Sequence, residues 1–203
     1  MFKRSLICTN LNDGLTRFTD YVPQLAASGL EQIVFVHNVP LWQEGSIPHV
    51  DQEKVTAATA KLAKALIKVP TGVEVKVEVP SGRVLENICE LITKYQSDVI
   101  FVSNSAKGNI QKTLFGSNLA GLTEKTSVPL FVLRPQLIST YREDELALRS
   151  QNLWRYLLVP YNGGEASNYL IEQLRDCLTK YGKGTTEKLC SVRWWRIAVN
   201  GRN

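Results

Sequence analysis

The sequence has no long apolar run. No segment approaches the roughly twenty apolar residues that a membrane-spanning helix requires, although 44% of the 203 residues are hydrophobic. The amino-terminal stretch MFKRSLICTN has a basic start, but its apolar part is too short for the core of a signal peptide. These absences predict a soluble globular protein of the cytoplasm, with no membrane partner.

Paired cysteines are also lacking. The four cysteines, Cys8, Cys89, Cys177 and Cys190, are far apart and form no C-x-x-C motif. This spacing argues against a zinc site and against a small secreted disulfide scaffold. We therefore predict reduced thiols and no metal site, with Cys8 and Cys89 as small core residues inside apolar runs.

Few residues are suited to nucleophilic catalysis. The sequence has two histidines, His37 and His49, and no G-x-S-x-G motif. Neither histidine has a recognisable nucleophile partner nearby in the sequence. A hydrolase is therefore a poor hypothesis, and we predict no catalytic residue.

The chain also lacks a block of like charge. Its net charge is +5, but lysine and arginine alternate with aspartate and glutamate over most of the length. A mild basic excess of this kind is more typical of a solvated surface than of a nucleic-acid footprint. We do not expect a nucleic-acid partner.

What the sequence does contain is a regular alternation of strand and helix patterns. Apolar runs predict strands at 5–9, 31–39, 73–79, 98–102 and 129–133, and apolar spacings of three and four residues predict helices at 15–27, 51–69, 83–95 and 116–126. Helices of this length between strands call for parallel crossovers. The fold class predicted for residues 1–135 is α/β, with an open five-stranded parallel sheet covered by helices on both faces.

One loop carries the best indication of function. Residues 103–117 (SNSAKGNIQKTLFGS) follow the fourth predicted strand and precede a helix. Such a loop offers backbone N–H groups to an anion, and it should meet Thr9-Asn10 at the carboxyl edge of the sheet. Gly116-Ser117 would allow a phosphate to approach closely, but only Gly108 supplies glycine in the first half of the loop.

The carboxyl-terminal third resembles the beginning of the chain. Residues 136–153 are of mixed charge and predict a surface linker with a helical turn. Beyond them, LLVPYN at 157–162 corresponds to SLICTN at 5–10, and a helix at 166–181 and a possible strand at 187–192 follow. We interpret 154–203 as a partial βα(β) repeat of the first domain, truncated after its first elements.

Several segments together resemble the universal stress protein family: LICTN, VFVHNVP, PSGRVLENI and LFGS…TSVPLFVLRP. The resemblance covers about residues 1–135 and implies a Rossmann-like fold of the adenine nucleotide alpha hydrolase type. It implies a nucleotide site formed by Cys8, Asn10, Asn38, Val102, Ser103, Ser105, Ala106, Gly116, Ser117 and Asn118.

The sequence departs from the ATP-binding pattern of this family. ATP-binding members have an aspartate at the end of strand 1 and a Gly-x2-Gly-x9-Gly-Ser/Thr loop after strand 4. Asn10 stands at the aspartate position, Ser103 and Ala106 replace the first two glycines, and Gly116-Ser117 remain. Lys107 and Lys112 either contact phosphate or are solvated loop lysines. ATP or another adenine nucleotide is expected to bind weakly, if at all.

The resemblance implies a stress-response regulatory protein that is dimeric and non-catalytic, with a degenerate nucleotide site. The homodimer is expected to form through the 129–133 strand, and a further protein partner is unknown. The alternative is a nucleotide-binding switch or slow ATPase that uses the 103–117 loop.

Overall fold

The computed structural model describes residues 1–12, 14–41, 48–103, 117–181 and 186–193, with the backbone alone at 117–119, 180, 181 and 193. The chain divides into two compact units, one formed by residues 2–151 and a second formed mainly by residues from 152 onward. No helix in the described part of the chain has the length and apolar character needed to cross a bilayer.

The first unit is built on a parallel sheet. Its strands are β1 (Arg4–Cys8), β2 (Gln32–Val36), β3 (Glu74–Glu78), β4 (Val99–Ser103) and β5 (Leu130–Leu133). They lie in the order β3-β2-β1-β4-β5, and every pair is parallel. The predicted open five-stranded parallel sheet is confirmed, and no strand end differs from its predicted position by more than three residues.

Helices cover both faces of this sheet. Side chains of a strand alternate between the two faces, so each face presents apolar residues to the helices that cover it. On one face, a buried cluster joins the sheet to α3 (Val84–Tyr95) and α4 (Ser117–Lys125) through Leu6, Val34, Val36, Ile88, Leu91, Ile100, Val102 and Leu122. On the other face, the Phe101 ring lies 6.3 Å from the ring of Phe18, nearly perpendicular to it. Burial of this apolar surface is the main stabilising term of the unit.

The helix predicted at 15–27 is divided into two elements. A 3-10 helix spans Gly14–Asp20, and α1 spans Val22–Ala27. Pro23 lies in the first turn of α1. In a continuous α-helix its ring would clash with the carbonyl of Thr19, so the chain begins a new helix at this point.

The helix predicted at 51–69 also changes character. The α-helix α2 spans Gln52–Leu62. Asp51 caps its N-terminus, because Asp51 Oδ1 accepts the backbone N–H of Lys54 at 3.0 Å. A 3-10 helix at Ala63–Leu66 follows it. Leu66 follows Leu62 at the four-residue spacing that predicted a continuous helix with both residues on its buried face, but Leu66 is 49% exposed.

Residues 136–153, predicted as a surface linker with a helical turn, contain two helices instead. These are α5 (Pro135–Thr140) and α6 (Glu143–Gln151). They bury Ile138 and Leu146, two apolar residues too few to make a clear periodic pattern in a charged segment. Arg17 donates hydrogen bonds to the carbonyl oxygens of Ile138 and Tyr141, so the segment is anchored to the first unit.

The described residues of the second unit form a βαβ arrangement. Its elements are β6 (Tyr156–Tyr161), α7 (Glu165–Tyr181) and β7 (Lys188–Arg193), and the two strands are parallel. The predicted order of strand, helix and strand is therefore present. Whether this unit is a partial repeat of the first stays a prediction.

Candidate functional site

A cavity of about 220 Å³ lies at the carboxyl edge of the sheet. It opens beside β1 and β4, where the strand order changes direction, which is the usual position for a ligand in a doubly wound fold. Its lining consists of Cys8, Thr9, Asn10, Val36, His37, Asn38, Val84, Ile88, Val102, Ser103 and Leu122.

The residues after β1 form a tightly hydrogen-bonded turn. The Thr9 N–H donates to the Val36 carbonyl at 2.9 Å, which extends the β1–β2 pairing by one residue. Thr9 Oγ1 accepts the Leu11 N–H at 3.0 Å and lies 2.9 Å from Thr16 Oγ1. Leu11 has a φ of 66°, a left-handed conformation that is costly for a leucine. The turn is thus held in a strained geometry by Thr9.

Asn10 is exposed at the rim of the cavity. Its Oδ1 atom accepts the backbone N–H of Asn12 at 2.9 Å, an arrangement known as an Asx turn. The oxygen that replaces a carboxylate at this position therefore already has a partner within the turn. It carries no formal charge to attract a cation or to take a proton.

His37 connects the ends of β1 and β2. Its Nδ1 atom lies 2.9 Å from the Thr9 carbonyl oxygen, and its backbone N–H donates to the Glu78 carbonyl. Because a carbonyl oxygen only accepts hydrogen bonds, Nδ1 carries the proton, and Nε2 is an acceptor in the neutral ring. The contact of Nδ1 with the Thr9 carbonyl therefore helps to fix the wall of the cavity.

The side chain of Asn38 connects the cavity to the loop before α3. Its Nδ2 atom donates to the Gly82 carbonyl at 2.9 Å, and its Oδ1 atom accepts Asn87 Nδ2 at 2.6 Å. Asn87 also contacts the Ser81 carbonyl at 3.2 Å. Both polar atoms of Asn38 are used in holding this loop, so its role within the cavity is mainly structural.

The remaining walls are mostly apolar. Val36, Val84, Ile88, Val102 and Leu122 present hydrocarbon to the cavity. Such a lining suits a flat, weakly polar group, with orientation set by the few polar atoms at the rim. It offers binding surface but no group with obvious chemical reactivity.

The structure brings half of the predicted site residues together. Cys8, Asn10, Asn38, Val102 and Ser103 all line the cavity. Ser117 and Asn118 are the first two residues of α4, and the structure describes only their backbone. Ser105, Ala106 and Gly116, together with the loop lysines 107 and 112, lie outside the described residues.

The sequence-based site omitted the walls contributed by helices. Val84 and Ile88 belong to the apolar stripe of α3, and Leu122 belongs to α4. The apolar stripe of α3 is wider than packing against the sheet alone requires. This width was the available indication in the sequence that α3 contributes to the cavity. The apolar periodicity of a helix does not show which of its residues lie beyond the end of the strand that it covers. It therefore does not identify the individual residues that line the cavity.

The described lining contains no carboxylate. Within the described part of the chain, moreover, no three His, Cys, Asp or Glu residues come together as metal ligands. Glu78 ends β3, and its backbone carbonyl oxygen accepts the N–H of His37. Partial burial acts to raise the pKa of Glu78, but hydrogen bonds from Lys94 and Tyr95 and the charge of Lys94 outweigh it and hold the pKa below its usual value.

Comparison with known proteins agrees with this fold. The model of the universal stress protein family matches residues 1–134. A comparison with curated proteins found no match.

Solved structures of similar fold include a universal stress protein from Archaeoglobus fulgidus DSM 4304. It is 16% identical, with a TM-score of 0.55, over 93% of this chain and 65% of that chain. A universal stress protein in complex with cAMP is 16% identical, with a TM-score of 0.48, over 66% of this chain and 98% of that chain. A protein of the same family from Burkholderia pseudomallei is 15% identical, with a TM-score of 0.42, over 66% of this chain and 96% of that chain.

Proposed function

The chain belongs to the universal stress protein family, and from this premise we propose that it is a dimeric, non-catalytic stress-response regulator with a degenerate nucleotide site. The observation that carries the proposal is the state of Asn10. Its amide oxygen stands where ATP-binding members have a carboxylate, and it already accepts the N–H of Asn12. ATP or another adenine nucleotide therefore binds weakly or not at all.

The absence of a carboxylate from the described lining supports the non-catalytic part of the proposal. Phosphoryl transfer requires a positioned base or water and a bound metal ion. The lining residues are threonine, asparagine, histidine, cysteine, serine and aliphatics, and His37 Nδ1 is directed at the Thr9 carbonyl. A regulator of this kind acts through the partners that it binds.

The competing function is a nucleotide-binding switch or slow ATPase. It is favoured by one relationship: Ser103 ends β4 at the cavity, and the loop from it leads to α4, which begins at Ser117. A helix N-terminus at the end of such a loop attracts phosphate. The two functions differ in whether nucleotide binds at physiological concentration and whether it is hydrolysed.

The dimer is proposed to form through β5. Each side chain of β5 is apolar, and Val132 is 39% exposed. The opposite edge strand, β3, carries Glu74, Lys76 and Glu78, and charges of this kind oppose edge-to-edge pairing. Strand addition at β5 is therefore the favoured assembly.

Two further features belong to the proposal. The second unit is proposed to be a partial repeat of the first, supported by its parallel βαβ order and by a fold match that extends over 93% of this chain. The cytoplasm is the proposed compartment, because Cys8, Cys89, Cys177 and Cys190 are free thiols, as is usual in reducing surroundings.

Thermal denaturation with nucleotides tests the proposal. The purified chain would be melted with ATP, ADP, AMP and cyclic nucleotides, with and without Mg²⁺. A ligand at about five times its Kd stabilises by about 1 kcal/mol, which raises Tm by about 2–4 °C for a chain of this size. We expect no such rise at about 1 mM nucleotide.

Two variants and a control show whether any rise in Tm comes from nucleotide bound in the cavity. Val84→Phe would fill the cavity, Gly116→Val would block the phosphate loop, and Val50→Phe makes the same change as the first at an exposed position. A rise at about 1 mM nucleotide that both variants abolish and the control keeps would contradict the degenerate site. Release of phosphate from ATP by the wild type, lost in Val84→Phe, would establish the ATPase instead.

A further inference from the structure

The turn between α2 and β3 presents a surface that no part of the described structure covers. We call it the 61–69 patch, and it consists of Lys61, Lys64, Leu66, Ile67, Lys68 and Val69. All six residues are exposed. Ile67 is 74% exposed, the highest value among the large apolar residues that the structure describes.

The patch arises from the change of helix type after Leu62. In a 3-10 helix, residues three apart eclipse one another. Leu62 and Ala65 are both fully buried, so they occupy the inner side of the turn. Leu66, which an α-helix would place near Leu62, is rotated by about one third of a turn away from it. The aliphatic side chain is thereby moved from the core to the surface.

The same geometry aligns cations with the aliphatic residues. Lys61, Lys64 and Ile67 follow one another at intervals of three, and the Ile67 N–H donates to the Lys64 carbonyl at 3.2 Å, which continues the 3-10 pattern. Two ammonium groups and the most exposed isoleucine therefore lie along one outer side of the turn. Lys68 follows directly in the sequence.

The three lysines of the patch have no acidic partner in the described structure, whereas other lysines of the chain do. Lys3, Lys54 and Lys94 form ion pairs with carboxylates at 2.6–2.8 Å. No ion pair involves Lys61, Lys64 or Lys68 among the described residues. The patch therefore has a local positive potential that is not compensated nearby.

The combination of charge and shape selects the partner. A second copy of the chain would bring like charges together at this turn. An acidic peptide that extended the sheet at the neighbouring edge strand β3 would meet Glu74 and Glu78. A bilayer surface with anionic headgroups matches the lysines electrostatically and can accept aliphatic side chains at its interface.

We propose that the 61–69 patch binds anionic lipid bilayer surfaces, with the lysines facing the headgroups and Leu66 and Ile67 entering the interfacial layer. The expectation of no membrane partner rested on the lack of a spanning segment, and binding at the surface needs none. The patch precedes the amino end of β3, whereas the cavity lies at the carboxyl edge of the sheet. The inference does not depend on the proposed function of the cavity.

Vesicle sedimentation tests the proposal. The full chain would be mixed with vesicles of phosphatidylcholine alone or with about 30% phosphatidylserine, at low and at physiological salt. We expect at least tenfold tighter binding to the anionic vesicles, with a decrease as salt rises. Each lysine near an anionic surface contributes about fivefold in affinity, so Lys64→Gln with Lys68→Gln should weaken binding by about 25-fold.

Matched variants separate the patch from general charge. Lys125→Gln with Arg142→Gln removes the same charge from exposed positions elsewhere and should leave binding within about twofold of wild type. Leu66→Ser with Ile67→Ser should weaken binding at every salt concentration, while melting curves confirm that each variant is folded. Three results would overturn the proposal: no binding to anionic vesicles, equal losses in the patch and control variants, or binding of polyglutamate in preference to vesicles.

Discussion

The guanidinium of Arg17 donates a hydrogen bond to the carbonyl oxygen of Tyr141 at 2.9 Å. It also contacts the Ile138 carbonyl, so one side chain satisfies two acceptors near the end of α5. The Tyr141 ring is in turn covered by the guanidinium of Arg149 at 4.3 Å. Arg17 lies on the 3-10 helix that follows the turn of Thr9 and Asn10, so its hydrogen bonds anchor the end of α5 to the segment that follows β1.

Arg17→Met should destabilise the first unit. The variant keeps most of the aliphatic volume but leaves two carbonyl groups without their charged donor, at a cost of about 2 kcal/mol. Urea denaturation would measure the loss, and faster amide exchange at 137–151 would place it in α5 and α6. Arg142→Met, at an exposed arginine paired only with Asp144, should cost under about 0.5 kcal/mol. Equal losses in the two variants would contradict this role of Arg17.

Two glycines at close contacts should respond differently to alanine. A Cβ at Gly14 would lie 2.9 Å from the Pro135 carbonyl oxygen and 2.8 Å from Ile138 Cβ, whereas one at Gly121 would meet the end of the Leu85 side chain. A backbone carbonyl cannot move away without displacing α5. Gly14→Ala should therefore cost about 1–3 kcal/mol.

Gly121→Ala should be close to neutral, because Leu85 can change rotamer and alanine favours helix by about 1 kcal/mol. Thermal and urea denaturation of the two variants side by side would measure the difference. A Gly14→Ala protein as stable as wild type would show that α5 is not held against the 3-10 helix that begins at Gly14.

Glu78 should make stability depend on pH in the acid range. Burial acts to raise its pKa, but the hydrogen bonds from Lys94 and Tyr95 and the charge of Lys94 lower it below the usual 4.5. A lowered pKa in the folded state means that the contribution is present above the unfolded value and is lost as the pH falls through the folded one. Glu78→Gln should thus flatten the stability curve below about pH 5. Glu90→Gln makes the same charge change at an exposed position of α3 and serves as the control.

Gln96→Gly should stabilise the protein. Gln96 ends α3 with a φ of 49°, and the Ser97 N–H donates to the Ile92 carbonyl at 3.1 Å. Glycine adopts this left-handed conformation without a Cβ penalty, so a gain of about 0.5–1 kcal/mol is expected. Gln96→Ala, which keeps the Cβ and removes the contact with Arg4, should show no gain. Chemical denaturation of both variants would reveal whether the backbone conformation is the cause.

Val132→Lys should convert the proposed dimer into a monomer. A charge on the exposed face of β5 opposes strand addition at that edge. Analytical ultracentrifugation at micromolar concentration would report the change. Leu137→Lys, on the exposed side of α5, should leave the dimer intact. A wild-type protein that is monomeric throughout would remove the proposed assembly.

The succession of strands along the chain and their parallel direction could be predicted from the sequence, because buried parallel strands such as those around Leu6, Val34 and Ile100 are continuous apolar runs. Helix ends were less predictable. The break before Pro23 and the change to 3-10 geometry after Leu62 depend on local backbone sterics that a periodic pattern averages out. The two helices within residues 136–153 were missed for a related reason, since Ile138 and Leu146 are single anchors in a charged segment.

For the candidate site, the position of Asn10 and Ser103 followed from strand topology alone. The hydrogen bonds that engage Asn38 and Asn10 did not, because they depend on where Gly82, Asn87 and Asn12 lie in space. The residues at this edge of the sheet could therefore be named from the sequence, whereas the hydrogen bonds of their side chains could not. Only the folded turn shows that Asn10 Oδ1 is already an acceptor within the chain.

The pairing of the central strand also bears on how the chain reaches its folded state. Ser5 of β1 pairs with Ile33 on one side and with Val99 on the other. The first neighbour is synthesised early, but the second appears only after α3, and such distant pairings form slowly. During synthesis, β1 and β2 therefore expose an apolar edge until β4 emerges from the ribosome. Aggregation of the nascent chain is expected to be greatest in this interval, which makes it the stage at which a chaperone would act.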